Sequence, residues 1–155
     1  MGLAGDVTLE QARDWLRQRT DEGARCPCCT QFAKVYKRAI NSGMARALVT
    51  MYRVGGEDWL HKPTVLRGLG AAARDEALLR YWGLVEEEVA VRPDGGRTGW
   101  WRVTPKGGLF VLNVTTVQKY ALVYDSRCLG LDGPQVSIVD ALGTKFNLND
   151  LMAGR

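Results

Sequence analysis

Apolar residues return every three or four positions through the first half of the chain and every second position further on, which predicts helices followed by strands. Thr8-Leu9-Glu10-Gln11 forms a capping box, in which Thr8 accepts from the third helical N–H while Gln11 reaches back. Leu9, Ala12, Trp15 and Leu16 follow at helical spacing, and Gly23 is expected to close that helix. Phe32, Tyr36, Ile40, Met44, Leu48 and Met51 then keep one helical face, with Val35, Ala39 and Ala47 beside them. Asn41-Ser42-Gly43 interrupts the run with poor helix formers. The run therefore reads as two helices meeting there, Asn41 or Ser42 capping the second, with one long helix as the alternative. Gly55-Gly56 ends it.

Pro63 suits the first turn of a short helix reaching about Leu69, weakened by Gly68 and Gly70. A stronger helix is expected over Ala71–Trp82, with Gly83 as its left-handed terminating residue. The period then changes. Val85, Val89 and Val91 alternate with polar positions, Pro93-Asp94-Gly95-Gly96 supplies turn chemistry, and Trp101 and Val103 alternate on the return strand. Thr104-Pro105 begins another helix, to about Leu112. Val117–Tyr124 is rich in β-formers, Asp132-Gly133-Pro134 is read as a break, and Val136–Val139 as the continuing strand. Asn147 is placed to cap a short helix carrying Leu148, Leu151 and Met152.

At 155 residues, 46% of them apolar and 25% charged, the composition is that of one globular domain. No apolar stretch approaches the roughly 20 residues of a membrane span. The opening MGLAGDVTLEQ lacks a basic segment followed by an apolar one, so no secretory signal is expected. Asp6 stands where myristoylation requires Ser or Thr. A cytoplasmic location follows as the expectation. The net charge of +4 permits contact with nucleic acid without requiring it. Lys34, Lys37, Arg38 and Arg46 are its one concentration.

The order helix, short helix, helix, two-stranded hairpin, helix over residues 42–113 is the order of a winged helix. Leu79, Gly83 and Leu84, then Asp94, Gly95 and Arg97, then Thr104 and Gly107 carry a closer likeness. With them the stretch YWGLVEEEVAVRPDGGRTGWWRVTPKGGLFV resembles the recognition-helix end, wing and closing helix of multiple-drug-resistance-type winged-helix regulators. The resemblance implies a helix at 71–82 in the major groove, where each base pair shows a distinct pattern. It points to Arg74 and then Arg80 for base edges, and to Arg92 and Arg97 at the wing for phosphates or the minor groove. Lys34, Lys37 and Arg38 would add sequence-independent attraction to the backbone. Against this stand Asp75 and Glu76, which suit a helix N-terminus but repel phosphate, and the acidic run Glu86-Glu87-Glu88. Glu86 or Glu88 is expected to pair across the hairpin with Arg102.

Four cysteines without an export signal argue against a disulfide framework. Cys26, Cys28 and Cys29 cluster in CPCC, and Cys26 and Cys29 have the Cys-x-x-Cys spacing of half a zinc site. A structural Zn2+ site would have to borrow His61 and Cys128 from distant segments. A transient disulfide and plain buried cysteines are the alternatives. A thioredoxin-like motif is disfavoured because no βαβ pattern surrounds the cluster.

Trp100 and Trp101 are adjacent, so one is expected in the core and the other on the exposed face of the wing strand. His61 is the single histidine, and no hydrolase, nucleotide-binding or metalloprotease motif accompanies it. No catalytic residues are therefore assigned, and a binding protein rather than an enzyme is expected.

A second likeness covers about residues 9–153. CPCCTQFAKVYKRAINSGMARAL, RYWGLVEEE and KFNLNDLM resemble segments of small proteins encoded by actinobacterial phages and their relatives. It implies a phage or prophage origin, a regulatory or host-directed role, and the host cytoplasm as location.

The expected architecture is α+β over 1–155. It comprises N-terminal helices with the cysteine turn (8–40), a winged helix-turn-helix core (42–113), and a C-terminal β-hairpin with a short helix (117–153). The expected partner is double-stranded DNA, and regulators of this type commonly form homodimers. The alternative is a protein–protein adaptor on the same scaffold.

Overall fold

A computed structural model of the chain describes residues 5–73, 75–89, 93 and 99–155. The capping box forms as expected: Thr8 and Gln11 bond reciprocally at the start of α1 (Leu9–Arg17). The helix stops at Gln18, before Gly23. Gly23 instead turns the chain, at φ 93°, into a small antiparallel hairpin, β1 (Ala24–Arg25) and β2 (Phe32–Ala33), with Cys26, Cys28 and Cys29 in its loop.

The segment expected as a helix from Phe32 to Ile40 is extended. It forms β2 and then β3 (Tyr36–Ala39), so the N-terminal part contains one α-helix, not several. Phe32, Tyr36 and Ile40 are four apart, which is one helical turn but also two strand repeats. That spacing does not discriminate. Pairing of β3 with a distant strand decides it.

Asn41 accepts from the Met44 N–H at 2.9 Å and starts α2 (Ser42–Gly55). Met44, Ala45, Ala47, Leu48, Val49, Thr50 and Met51 of this helix are all buried. The Thr50 hydroxyl, polar among them, is satisfied by the Arg46 carbonyl at 2.9 Å. Gly56, at φ 57°, ends the helix.

Next come β4 (Leu60–His61) and one turn of helix, α3 (Lys62–Val65), with Pro63 in its first turn. The continuous helix expected over 71–82 is instead two 3-10 stretches, Arg67–Ala73 and Glu76–Trp82, the first broken at Gly70 (φ 61°, ψ −148°). Gly68 and Gly70 disfavour the α-helix, and the tighter 3-10 turn needs only short runs. Gly83 terminates the second stretch in the left-handed region, as expected.

β5 (Val85–Glu87) and β6 (Trp100–Val103) pair antiparallel, and β4 joins the other edge of β6 to give the sheet order β4-β6-β5. Thr104 caps α4 (Pro105–Val111). The tail opens with β7 (Val117–Tyr124) and β8 (Arg127–Val136), which with β3 make a second antiparallel sheet, β3-β7-β8. Its turn is at Asp125-Ser126, both at positive φ (48° and 60°), and not at Asp132-Gly133-Pro134. β8 runs through that triplet because it lies at the sheet edge, where a proline need not donate to a ladder. Val136–Val139 is not a continuing strand either. A second capping box, Ser137 with Asp140, starts α5 (Ile138–Leu142) there. The Ser137 N–H and then its hydroxyl hold the Asp140 carboxyl below the usual carboxylate range. Asn147 caps α6 (Leu148–Met152).

α2 packs against both 3-10 stretches, α4 and β6, and also against α5 and α6. One hydrophobic cluster follows, from Ile40 to Leu142, with Leu148, Leu151 and Met152 packed on it. Ala12 and Ala33 are buried outside that cluster, so α1 and the first hairpin form a satellite of the core. No helix among the described residues is long and apolar enough to cross a membrane.

Gly107 lets α4 approach β6 and the start of the wing. A Cβ there would overlap the Leu84 carbonyl oxygen and lie 2.7 Å from Val103 Cγ1. We predict that Gly107→Ala costs about 2–3 kcal/mol in urea unfolding, the usual cost of overpacking a tight core. A loss no larger than that of Gly68→Ala, where the space is open, would contradict this close packing.

Candidate nucleic-acid interface

In a 3-10 helix residues three apart eclipse one another. Glu76, Leu79 and Trp82 therefore form one column, and Leu79 and Trp82 are fully buried. Ala77 and Arg80 form another column, in which Arg80 is exposed, its guanidinium 5.2 Å from the Tyr81 ring centroid. Arg80 is thus free to reach outward along this segment. Arg74, Arg92 and Arg97, with Asp94 and Gly95 of the wing tip, lie outside the described residues.

The column geometry also settles one of the two acids expected to oppose a phosphate. Glu76 turns inward and pairs with Lys62 at 2.9 Å, both side chains only 13% exposed. Lys62 Nζ sits 4.2 Å from the Trp101 ring centroid, adding a cation–π contact to the pair. The pair ties α3 to the second 3-10 stretch and removes the Glu76 charge from the surface. Asp75 stays exposed. Nothing in the sequence spacing singled out Lys62, which stands fourteen positions before its partner and in another element.

Two hydrogen bonds hold the far end of that 3-10 stretch to the C-terminal sheet. Trp82 Nε1 donates to the Gln118 carbonyl at 2.7 Å, and the Tyr81 hydroxyl donates to the Ser126 carbonyl at 3.0 Å. Lys106 Nζ donates to the Trp82 carbonyl at 2.9 Å, satisfying one of the terminal acceptors.

On the wing, Arg102 pairs with Glu86 in the register expected for opposite residues, Glu86↔Arg102. The Arg102 guanidinium also lies 4.5 Å from the Trp59 ring centroid. Trp101 is buried at 5% exposure, as one of the two tryptophans had to be. Trp100 is only half-buried, not fully exposed, because its ring meets His61 at 5.5 Å.

The basic cluster is not a helical face. Lys37 and Arg38 are neighbours on β3 and so point to opposite sides of the sheet. Lys37 is engaged by Asp132 at 3.4 Å and by the Tyr120 ring at 4.4 Å. The Gly133 N–H, and then Lys37, hold the Asp132 carboxyl below its usual range. Lys34 and Arg38 both lie over the Tyr36 ring, at 5.7 and 5.6 Å. They remain available for weak electrostatic attraction but do not form one patch with Lys37.

The residues expected to hold zinc sit in three different sheets. Cys26 and Cys29 lie in the β1–β2 loop, His61 on β4 and Cys128 on β8. His61 Nδ1 shares a 2.6 Å hydrogen bond with Thr64 Oγ1, and Cys128 Sγ donates to the Gly130 carbonyl at 3.4 Å. Among the described residues no group of three or more His, Cys, Asp or Glu is placed to hold a metal ion.

No protein-family model, curated protein or solved structure matches the chain.

We predict that Glu76→Gln, which strands the Lys62 ammonium in a largely buried place, lowers unfolding stability by about 3 kcal/mol. Adding Lys62→Met should restore most of that loss. Equal, additive losses in the double-mutant cycle would show that the two side chains do not interact.

Proposed function

We propose that residues 42–113 form a winged-helix module that binds double-stranded DNA in a regulatory role, in a protein of phage or prophage type. The observation that carries this reading is topological. Helix α2, strand β4, the α3 and 3-10 turns, then β5 and β6 give a sheet in the order β4-β6-β5. That succession, with a connector of twelve residues between the two wing strands, is the one a winged helix uses. The likeness at Leu79, Gly83, Leu84, Thr104 and Gly107 supports it, since each sits at a helix end, cap or close packing point of that module.

In this reading the segment 74–82 faces the major groove, where Arg74 and the outward-facing Arg80 meet base edges. Arg92 and Arg97 on the connector meet phosphates or the minor groove. Lys62 supports the interface by neutralising Glu76 inside the protein. The role is binding, not catalysis.

A second reading, a protein–protein adaptor, rests on a separate apolar strip. Leu109, Leu112 and Val114 at the end of α4 are 47%, 51% and 69% exposed. A second copy of the chain or another protein would be its partner.

Fluorescence anisotropy of the full chain with mixed-sequence duplex tests the first reading. With about three phosphate contacts, log affinity should fall with log salt at a slope of about −3. Arg97→Ala should reduce that slope by about 1. Absence of binding at low salt retires the DNA reading and leaves the adaptor.

A further inference from the structure

Among the described residues the exposed aromatic side chains are Phe32, Tyr36 and Tyr124; the others, from Trp15 to Phe146, are buried or half-buried. All three exposed rings line one cleft, where the β2–β3 segment meets the turn between β7 and β8, with Gln31, Lys34 and Asp125 completing it. Gly23 lets the backbone pass the tip of the Phe32 ring, since a Cβ there would overlap Phe32 Cζ. The ring is thus seated at the cleft by the hairpin itself.

Cations accompany the rings. Lys34, Tyr36 and Arg38 follow at every second position of an extended segment, so they lie on one side of it, away from Lys37. Lys34 Nζ is 5.7 Å and the Arg38 guanidinium 5.6 Å from the Tyr36 ring centroid. Arg25 is exposed and stands opposite Phe32 in the register of the hairpin. None of Arg25, Lys34 and Arg38 is in an ion pair among the described residues, and Asp125 is the one acid of the cleft lining.

We propose that this cleft binds single-stranded nucleic acid, with bases stacking on Tyr36 and Phe32 while Lys34, Arg38 and Arg25 meet the phosphates. Every base offers a flat π face beside a negative charge, and water-exposed rings interleaved with cations match that alternation. A duplex hides those faces in its own stack, so a single strand is the form that fits. The two cations over Tyr36 lie near the roughly 6 Å limit of a cation–π contact, so each can swing to a phosphate and leave the ring to a base. The cleft, about 240 Å³, is smaller than the roughly 300–1,000 Å³ of sites that enclose a small molecule, and suits a flat ring system laid on its wall. The site shares no residue with the segment 74–82.

The test is fluorescence anisotropy of the full chain with a labelled oligothymidylate of about 12 nucleotides and with an abasic strand of the same length and charge. The oligothymidylate is expected to bind about tenfold more tightly, the difference being the stacking. Tyr36→Ala should remove most of that preference and Tyr36→Phe should keep it, because stacking needs the ring and not the hydroxyl. Phe32→Ala, in a hairpin apart from the main core, gives a second ring deletion with the same expected direction. Lys34→Ala and Arg38→Ala should each reduce the slope of log affinity against log salt by about 0.7. Equal affinity for the two strands, or ring deletions that bind as the unaltered chain does, would overturn the proposal. So would capture of a proline-rich peptide with no oligothymidylate bound at low salt, which would make the cleft a peptide groove.

Discussion

The burial of α2 on nearly every side is the constraint from which the rest of the architecture follows. A helix with one apolar stripe needs one partner layer, but Met44 through Met51 are buried without a break except at the half-buried Arg46. Such a helix cannot be satisfied by the 3-10 stretches, β6 and α4 alone. The C-terminal segment supplies the other cover, with Ile138 and Leu142 of α5 and Leu148, Leu151 and Met152 of α6 packed on the same cluster. Arg46 fits this picture, its guanidinium 4.8 Å from the Phe146 ring centroid. The tail after residue 113 therefore packs on the same core as the rest of the chain.

That arrangement has a consequence for the proposed interface. The segment 76–82 is held from behind by Leu79 and Trp82 in the core, at its start by Lys62, and at its end by Gln118 and Ser126. A short 3-10 element has poorer hydrogen-bond geometry than an α-helix and seldom persists alone. Here its position is fixed by side chains at both ends, which pre-organises the face that carries Arg80. The C-terminal hairpin thus holds in place the segment proposed to read DNA.

Elements with local chemistry were legible in the sequence. The caps at Thr8, Asn41, Thr104 and Asn147, the proline-led α3 and α4, the left-handed Gly83 and the Glu86–Arg102 pair all depend on residues near in chain or directly opposite in a hairpin. Elements decided by distant pairing were not. β3 exists because β7 lies beside it, and a spacing of four suits helix and strand alike. The strand through Asp132-Gly133-Pro134 depends on β8 being an edge. Two misreadings had an available signal: Ser137-x-x-Asp140 is a capping box, and Asp125-Ser126 is a turn dipeptide. Of the proposed site, the exposed Arg80 was legible. The inward turn of Glu76 was not, because it requires the three-residue period of a 3-10 helix and a lysine from another element.

Hydrogen–deuterium exchange of the full chain, with and without duplex DNA at low salt, tests the central claim most directly. The account predicts slowed exchange in residues 74–82 and in the connector from 88 to 99. The β1–β2 loop, β8 and the end of α4 should exchange unchanged. Slowed exchange confined to β3 and β8, or to the end of α4 around Leu109 and Leu112, would contradict it and place the binding surface elsewhere.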